Sequence, residues 1–248
     1  MKVWKYLEKK LKNNEKMHMT LIDPDKQAPE VAGNIARLCE KLGTDAIMIG
    51  GSTGVTRENM DLTAKAIKSQ IEKIPLIIFP TKPDALTKYA DAIYFMSMLN
   101  STNLNFVIGY QIIGAKIVKT LGIEPIPMGY IIIEPGMKVA EVGEARVIKR
   151  EDIESAVAHA LAAEFLGMKL VYLEAGSGAT QHILPQMVSE VRRNIGIGLI
   201  TGGGIRTPES ASMLSKAGAD IIVTGTIVEE AKDIEKTLSR IISAVKCR

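Results

Sequence analysis

The sequence predicts an α/β protein, a single-domain (β/α)8 TIM barrel, and three observations predict it. Eight short apolar runs recur along the 248 residues, and helical patterns separate them. The runs are rich in Ile, Val and Leu and mostly lack apolar–polar alternation, as expected of parallel strands covered on both faces. Eight alternating strand–helix units over about 250 residues fit one closed barrel. The rival is an open doubly wound sheet, which typically has fewer strands and favours a glycine fingerprint after its first strand. Here the first strand runs into Asp23-Pro24-Asp25-Lys26-Gln27, which has no such glycines.

Residues 1–16 read as a short amphipathic helix with Val3, Trp4, Leu7 and Leu11 on one side, and residues 17–248 as the barrel. The strand candidates begin at His18, Asp45, Pro75, Asp91, Ile126, Lys169, Ile197 and Asp220. The first barrel helix stops at Gly43, and helical patterns also start near Thr56, Arg150 and Thr207. The third unit is irregular. Only "TKPDALTKYA", from Thr81, separates its strand from the next. Pro83 and the short length allow two or three turns, which reads either as a short helix or as a gap that opens a groove beside the barrel mouth.

Composition removes several function classes. The 31 basic and 28 acidic residues nearly balance, leaving a net charge of +3 and no support for nucleic-acid binding. Cys39 and Cys247 form neither a disulfide framework nor a metal-ligand spacing, so a reduced, cytoplasmic setting is expected. The charged N-terminus has no apolar core and does not read as a signal peptide. No apolar run approaches the ~20 residues of a membrane span, so membrane contact is expected to be peripheral at most. His18, His159 and His182 are isolated, with His159 read as structural. Without a nucleophile elbow, an HExxH or a Cys–His pair, hydrolysis through a protein nucleophile is not expected.

In a barrel the chemistry sits where strands end. After the seventh strand come Gly202, Gly203 and Gly204, then Thr207 as a helix N-cap and Pro208 as a first helical residue. After the eighth come Gly225 and Thr226, and Thr226 with Glu229 has the spacing of a capping box. Two glycine turns at helix starts on adjacent strands predict a phosphate site. On the sixth strand Tyr172 and Glu174 share a face opposite Leu173. Burying Glu174 is costly unless a hydroxyl, a cation, backbone or a lysine satisfies it, and Gly176, Ser177 and Gly178 allow close backbone approach. Asp23 is either a turn residue or a metal ligand, and Asp25 belongs to an Asp-Pro turn. Ser52 or Thr53 has a hydroxyl suited to a hard cation such as Mg²⁺.

"HMTLIDPDK", "DAIMIGGSTGVT", "YLEAGSGA", "GGGIRTPE" and "DIIVTGTIVEE", in that order, resemble the geranylgeranylglyceryl phosphate synthase family over His18 to Glu230. The resemblance implies a Mg²⁺-dependent prenyltransferase. It joins sn-glycerol 1-phosphate to a prenyl diphosphate and releases diphosphate, the first ether-bond step of archaeal membrane lipid synthesis. It implies Mg²⁺ on Asp23 and Ser52. It implies glycerol phosphate along Tyr172, Leu173, Glu174, Ala175, Gly176, Ser177 and Gly178, with its phosphate on Gly203, Gly204, Gly225 and Thr226. It implies Glu174 and Tyr172 as the catalytic residues, with Glu174 taking the proton. The short third unit would hold the prenyl tail. The Ile- and Lys-rich, archaeal style of the sequence points to geranylgeranyl rather than the heptaprenyl tail of bacterial relatives. One departure stands out: some members carry lysine where this chain has Leu21, and Lys26 is the candidate replacement. Self-association into a homo-oligomer is also expected. The rivals are another phosphate-handling barrel enzyme, such as a sugar-phosphate isomerase or an indole-pathway enzyme, and a non-catalytic phospholigand-binding barrel.

Overall fold

A computed structural model describes residues 2–231 and 233–246; Cys247 lies outside the described residues. Eight parallel strands close into a barrel in sequence order. They are β1 (Met17–Ile22), β2 (Ala46–Ile49), β3 (Leu76–Ile78), β4 (Ala92–Met98), β5 (Glu124–Ile132), β6 (Leu170–Glu174), β7 (Gly198–Gly202) and β8 (Ile221–Thr224). Each of the eight expected strands is present. The ladder closes where β1 pairs with β8, with Thr20 opposite Thr224.

Successive strand residues face opposite ways, so two cores form. One fills the barrel interior with Met19, Met48, Tyr94, Tyr130 and Tyr172. The other lies between the barrel and its helices and takes Ile47, Val171, Leu173 and Leu199. A chain of rings tops the interior: Phe79, Tyr130 and Tyr172 have centroids 5.2–5.8 Å apart, a spacing favourable for tilted and edge-on contacts.

The N-terminal helix α1 (Val3–Lys12) buries Val3 and Leu7 against the interior core at the strands' N-terminal ends. Glu124, at the start of β5, accepts hydrogen bonds from the Val3 and Trp4 amides at 2.6 and 3.3 Å. These are donors a helix start leaves unpaired. The helix therefore closes the floor of the barrel and leaves the opposite rim open.

Around the barrel run α2 (Pro29–Leu42), α3 (Arg57–Lys68), α4 (Tyr110–Leu121), α5 (Met137–Val142), α6 (Ile153–Phe165), α7 (Pro185–Asn194), α8 (Pro208–Ala217), α9 (Thr226–Glu230) and α10 (Ile234–Lys246). Gly43 ends α2 in the left-handed conformation at φ 96°, as its position predicts. Thr207 caps α8, its hydroxyl accepting the Ser210 amide at 3.2 Å. The Thr226–Glu229 capping box does not form. Gly225 occupies the cap position, Thr226 is already helical, and no side chain caps α9. Glu229 instead meets Lys26 at 2.7 Å. Ala28, with no side-chain bond, stands at the N-cap of α2.

The third unit is shorter than two turns. Its helix is a single 3-10 turn, Pro83–Ala85. Beyond β4 a π-helical turn, Asn105–Gly109, leads into α4. The Ser97 hydroxyl donates to the Val107 carbonyl at 2.6 Å, and the Gln111 amide donates to the carbonyls of Met96 and Phe106. These bonds tie the turn to β4.

Two histidines are structural. His159 bonds the Ser155 carbonyl at 2.7 Å, one helical turn back. His18 is fully buried between Thr44 and Thr224, with both ring nitrogens within 3.0 Å of a hydroxyl. Burial, assisted by the Lys246 charge, pushes its pKa down to about 3. The stability gained by keeping it neutral is fully present above its unfolded pKa near 6.5 and is lost as pH falls toward about 3. Among the described residues no helix is long and apolar enough to cross a membrane.

Candidate active site

Two cavities meet at the open rim. The smaller is polar and encloses about 400 Å³ counting its mouth. Its walls come from the ends of β6, β7 and β8: Tyr172, Glu174 and Ser177, then Gly203 to Arg206, then Val223 to Thr226. The larger is a groove of about 990 Å³ counting its mouth. It is lined mainly by apolar residues, among them Phe79, Pro83, Leu86, Phe95, Met96, Phe106, Tyr110, Val118 and Val139. Leu21, Glu174 and Ser177 border both cavities. A ligand with a phosphate at one end and a tail at the other can therefore pass Glu174 in the middle.

Glu174 is the acidic side chain of this junction. Only 7 % of its surface is exposed. Its Oε1 accepts the Gly176 amide at 2.6 Å, so backbone supplies part of the compensation that burial demands. Desolvation raises its pKa. Tyr172, the Gly176 amide and Tyr130 favour the charged form and oppose that rise. Both tyrosine hydroxyls are held well above their ordinary pKa, first by burial and then by the Glu174 charge. They are neutral donors aimed at a carboxylate, and they favour its charged form.

Gly203 shows why a glycine stands beside this carboxylate. Its φ is +80°, and a Cβ there would lie 2.5 Å from Glu174 Oε1 and 2.6 Å from the Gly176 amide nitrogen. Any other residue would be strained in backbone and would displace the carboxylate. Gly203 and Gly204 both have positive φ and carry the backbone past the pocket. Across it, the hydroxyls of Ser177 and Thr226 stand 3.4 Å apart.

The structure gathers most of the expected residues. Tyr172, Glu174, Ser177, Gly203, Gly204, Gly225 and Thr226 line the polar pocket. Leu173 and Ala175 face the other way, into the core beneath the helices. The Ala175 amide and carbonyl are also engaged, with Gly202 and Gly136. Their side chains do not reach the pocket, because strand alternation turns them outward. Gly176 and Gly178 shape the loop, both at positive φ.

Asp23 and Ser52 form a separate corner. Ser52 and Gly51 line the groove, and the Asp23 carboxylate lies so close to Gly51 that a Cβ there would collide with it. Asp23 also accepts the Asp25 amide at 3.0 Å, so its turn role is real. Desolvation raises its pKa first, and Lys26 is among the groups opposing that rise. Among the described residues no three of His, Cys, Asp and Glu cluster as a metal cage. One carboxylate and one hydroxyl, with most positions left to substrate oxygens, fit the way Mg²⁺ is commonly held beside phosphates. Lys26, the candidate replacement for the lysine of some relatives, is placed beside Asp23 and Glu229. It is bound to Glu229 and lines neither cavity, whereas Leu21 lines both.

Sequence reasoning missed Tyr130, Arg206 and the groove walls. Tyr130 sits directly opposite Tyr172 in the β5–β6 ladder, so the phase of the fifth strand held its signal. Arg206 stands two residues after Gly204. The groove walls come from β4, the π turn and α4, whose stretch from 92 to 123 contains no acidic residue.

The PcrB family profile matches residues 9–245. The geranylgeranylglyceryl phosphate synthase of Pyrococcus horikoshii is 52% identical over 240 residues, covering 97% of this chain and 94% of the relative. The protein of the same name from Thermococcus gammatolerans is 53% identical with the same coverage. The crystal structure of (S)-3-O-geranylgeranylglyceryl phosphate synthase from Thermoplasma acidophilum, in complex with substrate sn-glycerol-1-phosphate, aligns with a TM-score of 0.95 and 44% identity over 99% of each chain. The tryptophan synthase alpha chain of Legionella pneumophila, at 15% identity and a TM-score of 0.60, shares the fold.

Proposed function

The chain belongs to the PcrB family, and on that premise we propose that it transfers a geranylgeranyl group from its diphosphate to sn-glycerol 1-phosphate. The products are 3-O-geranylgeranylglyceryl 1-phosphate and diphosphate. The observation that carries this reading is the junction: a polar pocket and an apolar groove share one buried carboxylate, Glu174.

The roles follow from the geometry. The glycine turns after β7 and β8, with Ser177 and Thr226, receive the phosphate, and their amides favour an anion. Glu174 orients the free terminal hydroxyl of the glycerol and takes its proton. Gly176, Tyr172 and Tyr130 hold the carboxylate in place for that step. The hydroxyl oxygen forms a bond to the allylic carbon as the bond from that carbon to the diphosphate oxygen breaks. The groove aligns the prenyl chain and excludes water from the reacting carbon. Asp23 and Ser52 would hold Mg²⁺, which neutralises charge on the departing diphosphate. No protein nucleophile is needed.

Incubating the protein with sn-glycerol 1-phosphate and prenyl diphosphates of several lengths, with and without Mg²⁺, tests the reading. Mass spectra should show the twenty-carbon ether as the dominant product and its loss on chelation. Activity that survives chelation would remove the metal from the proposal, and no ether product would remove the transfer itself. We also place the protein in the cytoplasm as a homo-oligomer. Ile112, Ile113 and Ile117 on α4 are exposed apolar residues suited to association, and light scattering measures the mass.

A further inference from the structure

The polar pocket contains one basic side chain among its described lining residues, Arg206, and one acidic one, Glu174. A phosphate monoester carries a charge of about −1.5 to −2 at neutral pH. Entering beside a carboxylate, it needs a compensating cation. Leu21 cannot supply one, and Lys26 is committed to Glu229 outside the pocket. Arg206 is the remaining candidate.

Its present partners are weak. Nη1 lies 3.2 Å from Glu230 Oε2, and Nη2 donates to the Gly178 carbonyl at 3.4 Å. The two side chains of the ion pair are 45% and 59% exposed, and an exposed pair of this kind is worth about 0–1 kcal/mol. An arginine–phosphate contact is charge-assisted on both sides and can be bidentate, and is therefore stronger than either present contact. From its own loop after β7, which lines the pocket, the guanidinium reaches two neighbouring segments: the loop after β6 at Gly178 and the end of α9 at Glu230.

We propose that Arg206 is a substrate-binding residue that exchanges Glu230 for the phosphate of the glycerol substrate. The exchange supplies the cation that Leu21 does not, and it fastens the β6 and β7 loops around the bound phosphate. Glu230 is a holding partner for the empty pocket. This inference rests on the reading that the polar pocket takes sn-glycerol 1-phosphate.

Calorimetric titration of sn-glycerol 1-phosphate into the wild type, Arg206→Gln, Arg206→Lys and Glu230→Gln tests it, alongside KM for each substrate. Arg206→Gln should weaken glycerol phosphate binding about tenfold or more, with KM for the prenyl diphosphate changed less than about twofold. Wild-type affinity should fall more steeply with salt than that of Arg206→Gln. Arg206→Lys should lie between them, since lysine keeps the charge and loses the fork. Glu230→Gln should bind as well as wild type or somewhat better. A loss below about threefold in Arg206→Gln, equal losses for both substrates, or weakened binding in Glu230→Gln would overturn the proposal. If the wild type fails to bind glycerol phosphate, the functional reading fails, and inorganic phosphate becomes the probe. Wild-type binding lost in Arg206→Gln would then keep Arg206 as an anion ligand, and no difference between the two would end that role as well.

Discussion

The polar pocket and the apolar groove lie side by side on one rim, yet they are built in opposite ways. The pocket is made largely of backbone at the ends of three consecutive strands, β6 to β8, and its residues fall in short contiguous runs. The groove is made of side chains from β3, β4, the π turn, α4 and α5. It exists because one barrel helix has shrunk to the turn Pro83–Ala85. Anion binding is a problem of placing amides and charges, and turns solve it locally. Tail binding is a problem of volume, and the fold solves it by leaving out an element. The two should therefore fail independently.

The sharpest test is Glu174→Gln at the junction. The amide keeps the size of the side chain and loses the base, so turnover should fall by about 10²–10⁴. Both substrates should still bind, and circular dichroism should be unchanged. A variant with wild-type turnover would remove Glu174 from the chemistry and break the link between the two cavities.

Gly203→Ala comes next and strikes the pocket through the Glu174 carboxylate, so turnover should fall as well. The added Cβ enters a left-handed backbone position 2.5 Å from Glu174 Oε1. KM for glycerol phosphate should rise about tenfold or more, an outcome of strain of order 1–3 kcal/mol at a non-glycine residue. Prenyl diphosphate KM should hold. A parallel rise in both would show that the cavities are mechanically one.

Gly114→Leu strikes the groove alone and is smaller in effect. A Cβ at Gly114 meets Pro83 and Leu86 at 3.8 and 4.0 Å, which is ordinary contact, so the longer side chain must extend into the groove space. The product spectrum should shift toward shorter tails, with glycerol phosphate KM unchanged. An unaltered length profile would show that the tail does not pass this wall.

This difference in construction also explains what the sequence could reveal. Gly202-Gly203-Gly204 and Gly225-Thr226 are contiguous runs, and at Gly203 and Gly204 a positive φ forces the identity, so the polar pocket was legible. The alternation of Tyr172 and Glu174 against Leu173 was legible for the same reason, since a strand has a fixed period. It also argued against Leu173 and Ala175 as side-chain contacts, a consequence that the structure made plain. The groove was legible only as a missing helix. Nothing in the sequence pattern sets Phe95, Phe106 and Tyr110 apart, and only tertiary packing shows that they surround a space. Thr226 misled because cap spacing is a local signal, whereas α9 starts with Gly225 at the cap position and Glu229 pairs with Lys26 instead.

The smallest expected effect lies in pH, and it separates the two halves without altering their shape. Glu174 must be ionised to accept a proton. Its pKa is raised above the ordinary value near 4.5 by desolvation and held back by Tyr172, the Gly176 amide and Tyr130. Activity should therefore climb with pH through an acid limb above 4.5 and then level off. Tyr130→Phe removes one donor that favours the carboxylate, so the limb should move to higher pH. Above the limb the rate should be nearly that of the wild type. Stability must follow the same sign. A carboxyl whose folded pKa is raised contributes fully below the unfolded value and loses that contribution as pH rises through the folded one. Melting temperature should consequently fall across that window in wild type, fall further in Tyr130→Phe, and lose this dependence in Glu174→Gln. The groove has no part in this titration, so prenyl-chain selectivity should be flat across the same range. A length profile that changes with pH would mean that the carboxylate governs the groove as well, and the two cavities would have to be treated as one site.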